Sequence, residues 1–195
     1  MSEDRRSALI DAALESLAER GLGAVSVRDV AARAGVSQGL IRHHFGSFSA
    51  LLVEAYRRVT ERVDGLLGAA IQGDDPEARM EAFLRASFAP SIADRELLAA
   101  WLGFWGLVRS DSEAAKVHAE TYAAYRARIE ALLADLADAR GVAVDPRAGA
   151  IGLTALLDGL WLELCLDPAT FSAEEAVGIV RRFVDGFLKS GYTTV

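Results

Sequence analysis

The run from Ser26 to Leu52, SVRDVAARAGVSQGLIRHHFGSFSALL, leaves this chain few choices of local structure. Val27, Val30, Ala31 and Ala34 recur at i, i+3, i+4 and i+7 and predict one apolar stripe on a short helix. Ser26 stands just before the stripe, where a hydroxyl caps free backbone N–H groups. Gly35 follows it and supplies the left-handed conformation that ends a helix. After a brief turn, Ser37 is placed to cap a second short helix, from Gln38 to about His44. Val36, Leu40, Ile41 and Phe45 point back toward the first helix. Gln38, Gly39 and Arg42 fall on the opposite side, with His43 at its flank. Two short helices, a turn with glycine, and an outward face of amide, guanidinium and imidazole groups predict a helix-turn-helix.

That face suits the major groove of a double-stranded DNA operator. Gln carries the amide pair that reads adenine, and Arg the fork that reads guanine or grips phosphate. Gly39 lets a duplex approach the backbone closely. The expected DNA-contacting set is Ser26, Arg28, Ser37, Gln38, Gly39, Arg42, His43 and His44. Gln38 and Arg42 are expected at bases or adjacent phosphates, and Ser26, Arg28, His43 and His44 mainly at the DNA backbone. The plain alternative is a small helical hairpin with a solvated polar face.

Charge is distributed in keeping with a localised DNA surface. The chain carries a formal −7, yet residues 1–60 hold eight arginines against seven acids, leaving −8 on the other 135 residues. A near-neutral head on an acidic body argues against a protein coated in basic groups. Cys165 is alone, so no intramolecular disulfide forms and the usage suits a reducing cytosol. The N-terminus MSEDRRSALI turns amphipathic at once, with no signal-peptide pattern. The longest uninterrupted apolar run, Leu97 to Val108, is too short to span a bilayer. No membrane association is expected, and a soluble, cytoplasmic protein is.

In chain order, residues 4–20 read as a helix ended by Gly21 and Gly23. Its apolar face, Ile10, Leu14 and Leu17, is expected to cover the back of the two short helices. Such a three-helix head is too small to be stable unsupported. A longer helix is expected over 49–71, with Arg57, Arg58 and Arg62 on its polar side. Beyond it, Asp75-Pro76, Asp145-Pro146 and Asp167-Pro168 each pair a capping carboxylate with a proline suited to a first helical turn. The implied helices are 76–88, 94–109, 111–140, 146–166 and 172–190. No stretch alternates with a period of two. The fold class is all-α, about nine helices. A helix-turn-helix DNA-binding domain is expected over 1–48 and a ligand-binding and dimerisation domain over 49–195.

The last two helices are apolar on more than one side. Leu153, Leu157, Leu160 and Leu164 make one stripe, with Ile151, Leu156 and Trp161 off it. Val177, Val180, Val184 and Phe187 make another, with Ile179 and Phe183 off it. Surplus apolar surface on a terminal helix pair is expected to be buried against a partner, through the two main stripes. A wider internal core is the alternative.

The spacing of VAARAGVSQGLIRHHF, with ALL opening the connecting helix, resembles the tetracycline-repressor (TetR) family almost position for position. WLGFWGLVRSDSE and ALLDGLWLELCL resemble the branch that includes the choline-responsive repressor of glycine-betaine synthesis, BetI. The GLIRHHF stretch matches that branch too. The resemblance covers nearly the whole chain and implies a ligand-released repressor, a four-helix dimer interface from the last two helices, and no cofactor. In one respect the chain departs from it: Phe48 stands where the family usually has a phosphate-gripping lysine, so that contact is lost or moved.

A small-molecule effector is expected among aromatic side chains of the body: Trp101, Phe104 and Trp105, Tyr122 and Tyr125, and Trp161 near Asp158 and Glu163. Trp101 and Trp105 share a helix face at i, i+4. If the rings converge, they hold either a cation such as a quaternary amine, with a nearby acid completing the balance, or a neutral apolar compound. No metal site is expected, since His43 and His44 are adjacent and cannot share a helix face, and no HExxH or cysteine pair occurs. No serine sits in a G-x-S-x-G elbow. The competing classes are a helical protein-binding scaffold and, less favoured, an enzyme; neither predicts salt-sensitive duplex binding.

Overall fold

The computed structural model describes residues 2–21 and 23–190. Among them are nine α-helices and no strands: α1 (Ser2–Arg20), α2 (Val27–Arg33), α3 (Gln38–Phe45), α4 (Phe48–Ala70), α5 (Pro76–Ser87), α6 (Arg95–Val108), α7 (Ser112–Arg140), α8 (Pro146–Leu166) and α9 (Ala173–Ser190). The all-α expectation therefore holds, with helix ends within two residues of those read from caps and periodicity.

The caps explain where the helices begin. The Ser26 hydroxyl accepts from the Asp29 amide at 3.2 Å and donates to the Asp29 carboxylate at 2.6 Å, a reciprocal cap on α2. Gly35, at φ 65°, lets the chain leave α2 with the Val36 amide bonded to the Ala31 carbonyl. Asp75 and Asp145 cap α5 and α8 ahead of their prolines. The third Asp-Pro pair behaves differently. Asp167 closes a turn over 168–170 through the Ala169 amide and the Thr170 hydroxyl. Ser172 and Glu175 then make the reciprocal cap of α9.

The chain packs as two compact units, and they do not follow the expected 1–48 and 49–195 division. The first comprises residues 1–62 and 95–121, the second residues 63–94 and 122–195. The divisions fall inside α4 and inside α7. In the first unit α6 lies against α1, and its core joins Leu9, Ile10, Leu17, Val30, Ile41, Leu51 and Leu52 to Tyr56, Phe104, Leu107 and Val117. The small head thus gains its missing core from α4, α6 and the start of α7.

The second unit is built on Phe83, Leu84, Ile129, Leu132, Leu133, Leu136, Leu153 and Val180. Ion pairs tie its helices at the rim: Arg140 of α7 spans Glu77 of α5 and Asp185 of α9, and Arg181 of α9 meets Glu81 of α5. Helix α8 is long and apolar enough by composition to cross a membrane. Within this unit one of its faces is core, through Ala150, Leu153, Leu157 and Cys165, and α9 packs along it.

Candidate functional site

The first unit presents the expected DNA face. Ile41 of α3 is buried beneath α2, while Gln38, Gly39, Arg42 and His43 are exposed. Arg28 and Ser37 are exposed too, and Ser26 and His44 are half-buried. Ser37 has the extended backbone of a cap, but its hydroxyl makes no capping bond and stays available to a phosphate. A Cβ added at Gly39 would meet no atom within 4 Å, so glycine is not demanded there by the protein's own packing.

Ion pairing sorts the arginines of this unit into structural and available groups. Arg33 holds α2 to α1 through Glu15 and Glu19, and its guanidinium draws the Glu19 carboxyl below the usual range. Arg20 reaches Asp29 at 3.5 Å, and Arg58 of α4 reaches Asp11 of α1 at 2.8 Å. Arg6 lies over the Phe45 ring, 5.2 Å from its centroid, and pairs with Glu54, joining α1 to the end of α3 and to α4. Arg57 sits 3.7 Å from Glu54. Arg28 and Arg42 make none of these contacts. Neither charge is taken up by an ion pair among the described residues. Phe48 is half-buried against the core of this unit, which gives a physical account of why no cation occupies the position.

The six aromatic residues expected to share one pocket are divided between the units. Trp101 and Phe104 belong to the first. Phe104 is fully buried and stacked on Tyr56 at 4.7 Å, and Trp101 meets the Tyr56 ring edge-on at 5.8 Å. Trp105, on the same helix, is half-buried.

Tyr122, Tyr125 and Trp161 belong to the second unit, and the two tyrosines lie beside an acid, Asp158, of the helix that carries Trp161. Tyr122 and Tyr125 lie 6.4 Å apart, edge to face, and Tyr122 hydrogen-bonds Asp158. The Arg126 guanidinium stands 5.9 Å from the Tyr122 ring. Desolvation pushes the Asp158 carboxyl up to about 6, against the Tyr122 hydrogen bond and the Arg126 charge, which both lower it. Burial also drives the Tyr125 hydroxyl far above its ordinary value. The indole N–H of Trp161 donates to the Ile92 carbonyl at 2.8 Å, fixing the ring. Thr154, one turn before Asp158 on α8, carries a buried hydroxyl with no hydrogen-bond partner among the described residues. Arg126 and Thr154 escaped the sequence reading. The i, i+4, i+7 spacing of Thr154, Asp158 and Trp161 was the available signal.

The expected dimer stripe needs correcting. Leu153, Leu157, Val177, Val180 and Val184 are buried in the second unit's own core, so they face inward and have no surface to offer. Leu160, Leu164 and Phe187 are half-buried at its margin. Of the apolar residues read as lying off the stripes, Ile151 is 47% exposed, while Leu156, Trp161, Ile179 and Phe183 are half-buried. Each helix carries two apolar faces, and periodicity alone did not say which one the core takes.

The polar face of α3, exposed at Gln38, Gly39, Arg42 and His43 in an all-helical chain, fits one class, the DNA-binding transcriptional regulators. Residues 9–55 match the family model for bacterial regulatory proteins of the tetR family, and residues 76–189 match the C-terminal region of BetI-type transcriptional repressors. The chain belongs to the TetR family of transcriptional regulators. It is similar to the HTH-type transcriptional regulator BetI of Burkholderia thailandensis, 31% identical over 95% of this chain and 94% of the relative. BetI of Rhizobium meliloti is 31% identical over 97% and 92%. A transcriptional regulator from Pseudomonas aeruginosa PAO1 superposes with a TM-score of 0.90 at 44% identity, covering 97% of this chain and 92% of that one. A regulator from Saccharomonospora viridis, solved in complex with choline, shares the fold at a TM-score of 0.81 and 23% identity, over 95% and 97%. These relatives are regulators, and the chain is a regulator rather than an enzyme.

Proposed function

We propose that the chain acts in the cytoplasm as a two-fold dimeric repressor, released from a palindromic operator when a small cationic amine binds in its second unit. The observation that carries the effector class is Asp158. A carboxylate held partly out of water beside Tyr122 and Tyr125 is costly to keep ionised, and a quaternary ammonium against those rings would offset that cost. The choline bound to the Saccharomonospora viridis regulator supports the same class. Arg126 competes for the site, so a cationic effector has to replace its charge beside Asp158. Trp101, Phe104 and Trp105 are left out of this proposal.

Choline, betaine aldehyde and neutral apolar compounds should be titrated while tryptophan emission and release from DNA are followed. Saturable release by a quaternary amine is expected, weakened about tenfold or more in Asp158→Asn and strengthened in Arg126→Gln. Release by a neutral compound alone, with no response to quaternary amines, would reject the cationic class and leave the repressor intact.

The dimer reading rests on the outward side of α8 and α9. Ile151, Ala155 and Gly159 recur at i+4 along the exposed side of α8, with Ile179 and Phe183 of α9 contributing apolar surface. Two copies joined there would place two copies of α3 in successive major grooves, about 34–36 Å apart.

A further inference from the structure

We infer that a two-point polar seam between α4 and α7 fixes the register in which the first unit presents its recognition helix, with Ser49–Asp111 and Tyr56–His118 as positioning pairs. At the first point the Ser49 hydroxyl donates to one oxygen of Asp111. The other oxygen caps α7, accepting from the Glu113 and Ala114 amides at 3.0 Å each. At the second point the Tyr56 hydroxyl and the His118 Nδ1 are 2.9 Å apart. The partners are separated by 62 residues in both pairs. Ser49 and Tyr56 are therefore two turns apart on α4, and His118 of α7 is two turns beyond its cap, Asp111. Equal spacing in the same sense means that the helices run parallel and in register across the seam.

Between these points Leu52, Ala55, Ala114 and Val117 are buried. Apolar packing of this kind is non-directional and tolerates a slide of one residue, about 1.5 Å, far better than a hydrogen bond does. The two polar pairs select one register out of several with similar apolar contact. Tyr56 cannot adjust to a slide by swinging away, because its ring is fully buried between Phe104 and Trp101. Only Gly46 and Ser47 separate α3 from α4, and Ile41 shares a core with Leu51 and Leu52. A displaced first turn of α4 therefore displaces the reading face. The seam adds to DNA recognition without touching DNA.

Ser49→Ala, Tyr56→Phe and the double variant test this on a palindromic duplex selected by the wild-type chain from a random pool. Melting temperature and affinity for a random duplex of equal length are measured alongside. Each lost hydrogen bond is expected to weaken the selected complex about two- to tenfold, and the double variant at least about tenfold. Random-duplex binding, which needs only phosphate contacts, should change less than about twofold. Ser49→Thr, which keeps the hydroxyl, should restore the selected complex. Asp135→Asn, which breaks the 2.7 Å Arg79–Asp135 pair of the second unit, should lower the melting temperature and leave DNA affinity alone. If Tyr56→Phe does not fold, His118→Gln probes the same bond from its half-exposed side. A lowered melting temperature with an unchanged ratio of selected to random affinity, in Ser49→Ala and in either variant at the second point, would overturn the inference.

Discussion

At the scale of single residues, DNA affinity and protein stability separate cleanly at two positions of α3. The Arg42 guanidinium makes no ion pair among the described residues, so Arg42→Ala should leave the melting temperature unchanged. It should cost about 1–3 kcal/mol of operator binding if the guanidinium reads a base edge; a loss spread evenly over all duplexes would make it a phosphate anchor. Gly39 is the sharper probe. Alanine fits there without a clash and favours a helix by about 0.8–1 kcal/mol, so Gly39→Ala should stabilise the free protein. The same methyl should weaken operator binding, because it stands between the backbone and the groove. Unchanged affinity would place the duplex elsewhere. Asp158 gives a pH test. Its carboxyl titrates near 6 in the fold and near 4 in an unfolded chain, so ionisation opposes folding. That penalty is absent below about pH 4, grows up to about pH 6 and is complete above it. Asp158→Asn should therefore raise stability at neutral pH by about 1–2 kcal/mol and flatten the curve between those limits, while lowering the effector response.

At the scale of elements, α8 and α9 meet through glycine. The Phe183 and Phe187 rings are nearly parallel, their centroids 6.4 Å apart. They lie against Gly152 and Gly149, where an added Cβ would come within 2.8 Å and 2.6 Å of ring carbons, and Gly149 is also closed off by Leu133. Gly149→Ala should destabilise the second unit by about 1–3 kcal/mol in chemical denaturation, since ring and helix must both shift. Gly65→Ala, in the part of α4 that belongs to the second unit and with open space around it, should not. Equal effects would mean that helix propensity, rather than the aromatic contact, governs both sites.

At the scale of the whole molecule, the proposed operator recognition depends on two copies acting together. Ile151→Asp puts a charge on the exposed side of α8 and leaves the inward residues Leu153 and Leu157 untouched. Sedimentation should then show monomers that remain folded, with operator affinity falling by orders of magnitude because each copy keeps only one recognition helix. A stable dimer in this variant would move the interface to another face. The proposed effector action also belongs to this scale, since α7, which Asp111 caps and which supplies His118 to the seam, also carries Tyr122 and Tyr125.

Local sequence was sufficient wherever the deciding physics is local. Ser26, Gly35 and the Asp-Pro pairs at 75–76 and 145–146 set helix ends through hydrogen bonds within a turn, and the recognition face followed from the 3.6-residue period. The exposed positions of Gln38, Gly39 and Arg42 were legible for that reason. Three things were not. Two apolar faces on α8 and on α9 compete for one core, and long-range packing turned Leu153 and Val180 inward while leaving Ile151 outside. Aromatic spacing within α6 gave no sign that Phe104 would stack on Tyr56, about fifty positions earlier in the chain. The free state of Arg42 against the paired state of Arg33 depends on which carboxylates arrive from another helix. Periodicity assigns a side chain to a face of its own helix. Only the tertiary structure decides what that face meets, because burial and ion pairing depend on groups far away in the sequence.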